Sequence, residues 1–217
     1  MSEADLRSFP ATVDTGDATL QGDVVLPRDA RGIVLFAHGS GSSRFSTRNR
    51  HVAGHLVAGG LGTLLFDLLT ADEEVRDQRD ARLRFDIDLL TRRLAGATRW
   101  LDRQPWAANL KRGYFGASTG AAAALAASAQ CEVHAIVSRG GRPDLAGTAL
   151  PQVTAPTLLI VGSHDTAVIG LNEQALRSLR CEARLEIVPG ATHLFEEPGT
   201  LERVAELALQ WFRRWLD

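Results

Sequence analysis

The sequence predicts an α/β fold, a mostly parallel sheet of about 7–8 strands with helices on both faces. Two observations carry that expectation. Continuous apolar runs such as Gly32-Ile33-Val34-Leu35-Phe36-Ala37 and Thr157-Leu158-Leu159-Ile160-Val161 suit strands buried on both faces. Helical stretches separate those runs, so strand and helix alternate along the chain. With 217 residues, 45% hydrophobic and 23% charged, there is material for one sizeable core, and residues 1–217 are expected to form a single domain.

Taken in order, Thr19 to Leu26 alternates as an early strand ended by Pro27, after a polar start. Buried strands follow at Gly32 to Ala37, Thr63 to Phe66, Gly113 to Phe115, Ala135 to Val137 and Thr157 to Val161, with a last strand at Leu185 to Val188. Helices are expected at about 48–58, 85–103, 118–129, 172–179 and 201–216. In the last of these, Leu207, Trp211 and Trp215 share one face at four-residue spacing and read as core. Two connections bear on access to a site. Residues 67–84 are long and heavily charged, either a solvated mobile loop or a flap over a pocket. Ser138 to Pro156 is too short for a cap domain, so any pocket nearby should be open.

A net charge of −2 supplies no general attraction for nucleic acid or an anionic membrane. The first ten residues hold no apolar run of signal-peptide length, and no stretch reaches the length of a membrane span, so a cytoplasmic location is expected. Cys131 and Cys181 are too few for a disulfide framework or a thiolate metal site and are expected as reduced thiols.

The chemistry centres on Gly116-Ala117-Ser118-Thr119-Gly120, which places a serine between glycines where an apolar strand meets an alanine-rich helix. That is the layout of a nucleophile elbow, in which the serine takes a strained backbone and the glycines permit close approach of neighbouring chain. A serine hydroxyl needs a base within reach and a third group to orient the base. In a parallel sheet such groups collect at the carboxyl ends of strands. Asp165 and His193 each follow a strand directly, and the order Ser118, Asp165, His193 suits this architecture. Asp67 also ends a strand and is the rival acid, though fastening the neighbouring loop is its plainer role. His51 and His55 have i, i+4 spacing, but no glutamate follows His51, so no metal site is expected there. His134 starts a strand, at the wrong edge, and His164 precedes the acid in its turn.

An oxyanion hole is expected from the loop His38-Gly39-Ser40-Gly41-Ser42-Ser43, through the amide of Ser40, with the amide of Thr119 as second donor. A nucleotide-binding reading of that loop fails, because Arg44 stands where a third glycine belongs and no lysine is present. Arg139 and Arg142 follow a strand, so one or both guanidiniums can face the pocket and pair with a substrate carboxylate. The plainer alternative is an ion pair with Asp144 or another local acid.

These motifs, with Phe66-Asp67-Leu68-Leu69-Thr70 and Pro189-Gly190-Ala191-Thr192-His193-Leu194-Phe195, resemble the α/β-hydrolases, and more narrowly the small, capless dienelactone hydrolase-like group. The resemblance spans nearly the whole chain and implies Ser118 as nucleophile, His193 as base and Asp165 as its orienting acid. It departs at one position, since dienelactone hydrolases proper use a cysteine nucleophile. The expected activity is therefore hydrolysis of small esters or related acyl compounds by a serine hydrolase that requires no cofactor or metal. A non-catalytic binding member of the fold and an acyltransferase are the alternatives.

Overall fold

The computed structural model describes residues 6–217. Its sheet has eight strands in the order β1-β2-β4-β3-β5-β6-β7-β8, comprising β1 (Leu6–Asp14), β2 (Thr19–Pro27), β3 (Gly32–Ala37), β4 (Gly62–Phe66), β5 (Lys111–Ala117), β6 (Ala135–Arg139), β7 (Thr157–Gly162) and β8 (Ala183–Val188). β1 and β2 pair antiparallel, as do β2 and β4, and every other pairing is parallel. Every residue of β3, β4, β6 and β7 is buried, which is what continuous apolar runs require.

Six α-helices cover the sheet: α1 (Thr47–Ala58), α2 (Ala71–Asp80), α3 (Ile87–Asp102), α4 (Thr119–Ser128), α5 (Thr166–Ser178) and α6 (Thr200–Leu216). Two apolar cores result, one on each face. Leu35, Leu64, Tyr114 and Ile136 pack with α3 and α4 on one side, while Phe36, Phe115, Val137 and Ile160 pack with α1 and α6 on the other. Trp211 is buried in the second core and donates its Nε1–H to the Pro156 carbonyl at 3.2 Å. Cys131 and Cys181 are free thiols.

Three expectations need correction. β1 does not show in the sequence because its burial alternates weakly at a sheet edge, leaving only Ala11 and Val13 buried. Residues 67–84 are neither a mobile loop nor a bare flap. They hold α2, whose N-cap Thr70 forms a reciprocal capping box with Glu73. α5 begins at Thr166, six residues before the expected start, with Asp165 in the N-cap position.

The direction of winding reverses at the centre of the sheet, where β3 lies between β4 and β5. Such a switch point opens a crevice beyond the carboxyl ends of the strands. The loops after β3 and β5 both emerge there.

Candidate active site

Ser118 stands between β5 and α4 with φ 51° and ψ −121°, a conformation that L-residues rarely adopt. The flanking glycines are needed for space. A Cβ on Gly116 would run into the backbone of Ala121, and one on Gly120 into the carbonyls of Ala37 and His38. The backbone of Ser118 is held from the turn after β6, its N–H donating to Arg139 O at 3.3 Å and its carbonyl accepting from Arg142 N at 3.1 Å.

His193 Nδ1 lies 2.6 Å from Asp165 Oδ2. The carboxylate can only accept, so it fixes the proton on Nδ1 and leaves the Nε2 lone pair free. The two loops that carry this pair are stitched together. Gly190 N donates to Ser163 Oγ at 2.8 Å, His164 N donates to Ala191 O, and Gly162 has no room for a Cβ against the Ala191 and Thr192 carbonyls. Glu197 then accepts from both the amide and the hydroxyl of Thr192, and these bonds hold its carboxyl below the usual range. Gly140, at φ +50°, packs against His193, where a Cβ would lie 3.1 Å from its carbonyl.

Ser118 and His193 share a cavity of about 230 Å³. Gly39 and Ser40 reach it from the loop after β3, Ala117 from β5, Arg139 from β6, Leu194 from the loop after β8, and Ser42, Ser46, Arg48 and Asn49 from the approach to α1 and its first turn. A larger cavity of about 630 Å³, lined by Gln21, His38, Arg44, Phe45, Asp67 and Glu74 among others, contains neither Ser118 nor His193. The smaller cavity is therefore the one that joins Ser118 to His193. Its opening leaves the His193 side chain 40% exposed.

Of the two expected oxyanion donors, Ser40 is a cavity residue and Thr119 adjoins Ser118 at the start of α4. Ser40 lines the cavity, and Gly39 passes so close that a Cβ on it would stand 3.1 Å from Ser118 Cβ. Thr119 is the first residue of α4, so its N–H has no partner within the helix. The loop is anchored by His38, whose Nε2 accepts from Leu68 N at 3.0 Å while Nδ1 lies 3.0 Å from Gly39 O. Burial pushes the His38 imidazole down, which keeps it neutral in this role.

Asp67 is not an acid for His193. It accepts from Arg44 N at 2.8 Å and pairs with the Arg44 guanidinium, fastening the loop as its plainer reading held. His164 is exposed and outside the cavity, and no group of three or more His, Cys, Asp or Glu among the described residues is placed to hold a metal. The two arginines after β6 part company. Arg142 pairs with Asp144 at 2.7 and 2.9 Å and does not line the cavity, which corrects its assignment to the substrate. Arg139 lines the cavity without an acidic partner among the described residues. Arg48 and Asn49 escaped the sequence reading, which looked only at residues directly after strands. Their signal was the run Ser46-Thr47-Arg48-Asn49 opening a helix without an acid in its first turn.

With sheet order and elbow in place, residues 20–217 match the dienelactone hydrolase family. The chain belongs to that family. A crystal structure of a dienelactone hydrolase from Anabaena variabilis ATCC 29413 has 57% sequence identity to it and a TM-score of 0.96, covering 98% of this chain and 100% of that one. Est1E from Butyrivibrio proteoclasticus, at 14% identity and a TM-score of 0.77 over 94% of this chain and 98% of its own, shares the fold. Two Mycobacterium tuberculosis proteins, each named "Putative phosphoribosyl transferase", are 56% identical over 209 residues, which is 95% of this chain and 46% of theirs. The chain thus spans about half the length of these curated relatives. No cap domain stands over the site among the described residues.

Proposed function

We propose that this family member is a serine hydrolase of small carboxylic esters. The observation that carries the reading is the 2.6 Å bond between His193 and Asp165, on the same cavity as a serine held at a strained elbow. Ser118 Oγ attacks the ester carbonyl while His193 Nε2 takes its proton, and Asp165 steadies the imidazolium that forms. The Ser40 and Thr119 amides bind the carbonyl oxygen as it becomes an anion, each donor typically worth about 10²–10³ in rate. His193 then protonates the leaving alkoxide. Water attacks the acyl-enzyme by the same route, the acid leaves, and Ser118 recovers its proton.

A fluorophosphonate probe should label Ser118, located by mass spectrometry, and Ser118→Ala should lower turnover of p-nitrophenyl acetate by about 10³-fold or more. An unlabelled serine would instead support a non-catalytic binding protein. Transfer to an acceptor other than water uses the same acyl-enzyme, and alcohols or amines added during turnover would reveal it as a new product. The name carried by the mycobacterial relatives favours one further reading, phosphoribosyl transfer. We infer that this activity resides in the half of those proteins that the present chain does not match, because the matched part is the hydrolase-family part. Incubating this chain with a phosphoribosyl donor and free bases should give no nucleotide.

A further inference from the structure

The cavity beside Ser118 is charged in a way that ester hydrolysis alone does not require. Its lining includes two guanidiniums, Arg48 and Arg139, and no carboxylate. Arg139 keeps only 7% of its surface exposed, and its Nε has no hydrogen-bond partner. The one bond its guanidinium makes to a side chain is a long one, Nη2 to Asn49 Oδ1 at 3.5 Å. Burial, and then the like charge of Arg48, lower its pKa to about 10, so it stays charged at neutral pH. Arg48 also has a buried Nε without a partner. Its one acid, Glu196, lies 3.4 Å away with a side chain 65% exposed, an arrangement too solvated to neutralise it. A buried cation without a counterion is costly, and an anionic ligand removes that cost.

The surrounding groups favour one kind of anion. α1 is a twelve-residue helix that opens onto the cavity with no acid in its first turn, so its positive end adds to the two guanidiniums. Ser42 and Ser46, each with a hydroxyl, line the same cavity. Ser46 Oγ is partly engaged, accepting from Asn49 N at 3.3 Å. Two full positive charges, a helix N-terminus and hydroxyl donors match a doubly charged group with three acceptor oxygens better than a single carboxylate.

We propose that the walls formed by Arg139, Arg48 and the start of α1 are a phosphate-monoester subsite, and that the substrates are small esters carrying a phosphate on their acyl or alcohol part. The phosphate remains intact and serves as a handle, while Ser118 acts on the carboxylic ester. This inference rests on the hydrolase reading for its chemistry but not for its binding.

The test separates the two. Ser118→Ala protein is titrated calorimetrically with inorganic phosphate and with acetate at equal ionic strength, while wild-type protein is exposed to the fluorophosphonate probe. Phosphate should bind at least tenfold more tightly than acetate, and Arg48→Gln and Arg139→Gln should each weaken it by about tenfold. Arg48 is partly exposed, so its variant keeps the test open if the buried Arg139 variant does not fold. In turnover, an acetyl ester of glycerol phosphate should exceed the acetyl ester of glycerol in kcat/KM by tenfold or more. Equal binding of phosphate and acetate, or phosphate binding unmoved by Arg48→Gln, overturns the subsite even when Ser118 is labelled. Arginine-dependent phosphate binding without labelling keeps the subsite and removes the hydrolase reading.

Discussion

At Ser118 the demands of geometry and stability oppose each other. Its φ of 51° and ψ of −121° cost a non-glycine residue about 1–3 kcal/mol, and bonds to Arg139 and Arg142 on the next strand's turn hold it there. Ser118→Ala removes the hydroxyl but keeps the strain, whereas Ser118→Gly removes both. In urea denaturation the glycine variant should be the more stable of the two by about 1 kcal/mol, even after its larger unfolded-state entropy is counted. A glycine variant less stable than the alanine variant by about 0.4–1 kcal/mol, the unfolded-state cost alone, would show that the elbow stores no strain. The positions of Ser118, Asp165 and His193 were legible from sequence because each lies beyond the carboxyl end of a strand, two of them buried and the last, β8, only half-buried, where chain order restricts the choices. The roles of Arg139 and Arg142 were not, since two arginines three residues apart look alike until the turn directs one inward and the other to Asp144.

Among the elements, α2 shows how a charged segment becomes structural. Only Asp77 of its ten residues is buried, so no apolar periodicity announces the helix, although Thr70 and Glu73 spell out its capping box. Asp77 holds Arg84 through its carboxylate, at 2.5 Å from Nε and 3.0 Å from the backbone N–H, and the Arg84 guanidinium lies against Gly41 of the loop after β3. The helix is thus a brace for that loop. Arg84→Met would leave a buried carboxylate without its cation and should cost about 3 kcal/mol in denaturant unfolding. Because the brace ends on the loop proposed to supply an oxyanion donor, kcat for a neutral ester should fall with it while KM changes less. An unchanged kcat would restrict Asp77 and Arg84 to a role in stability. β1 was hidden for a different reason, as an antiparallel edge strand with one wet face lacks the apolar run that exposes its parallel neighbours.

For the molecule as a whole, His38 joins β3 to the chain after β4 and makes stability depend on pH. Its imidazole is pushed below the ordinary value of about 6.5 by burial, so on acidification the unfolded state takes up a proton that the folded state resists. Its contribution is therefore complete above that value and is lost as pH falls below it. The stability difference between wild type and His38→Gln should shrink between about pH 7.5 and pH 5, followed by urea denaturation. A constant difference would mean that His38 titrates alike in both states. The overall architecture was readable because parallel strands buried on both faces leave an unambiguous pattern, whereas the cavity is assembled from loops whose meeting depends on sheet order. The turn after β6 illustrates that dependence. It contributes no member of the Ser118, Asp165 and His193 set, yet it grips the Ser118 backbone on both sides, supports the imidazole through Gly140 and sends Arg139 into the cavity. A turn with so many obligations is a poor place for inserted sequence. Grafting a lid there should cripple the protein, and diversification of substrate choice in this lineage is better accommodated where α1 begins, whose side chains touch the cavity without holding either reacting group.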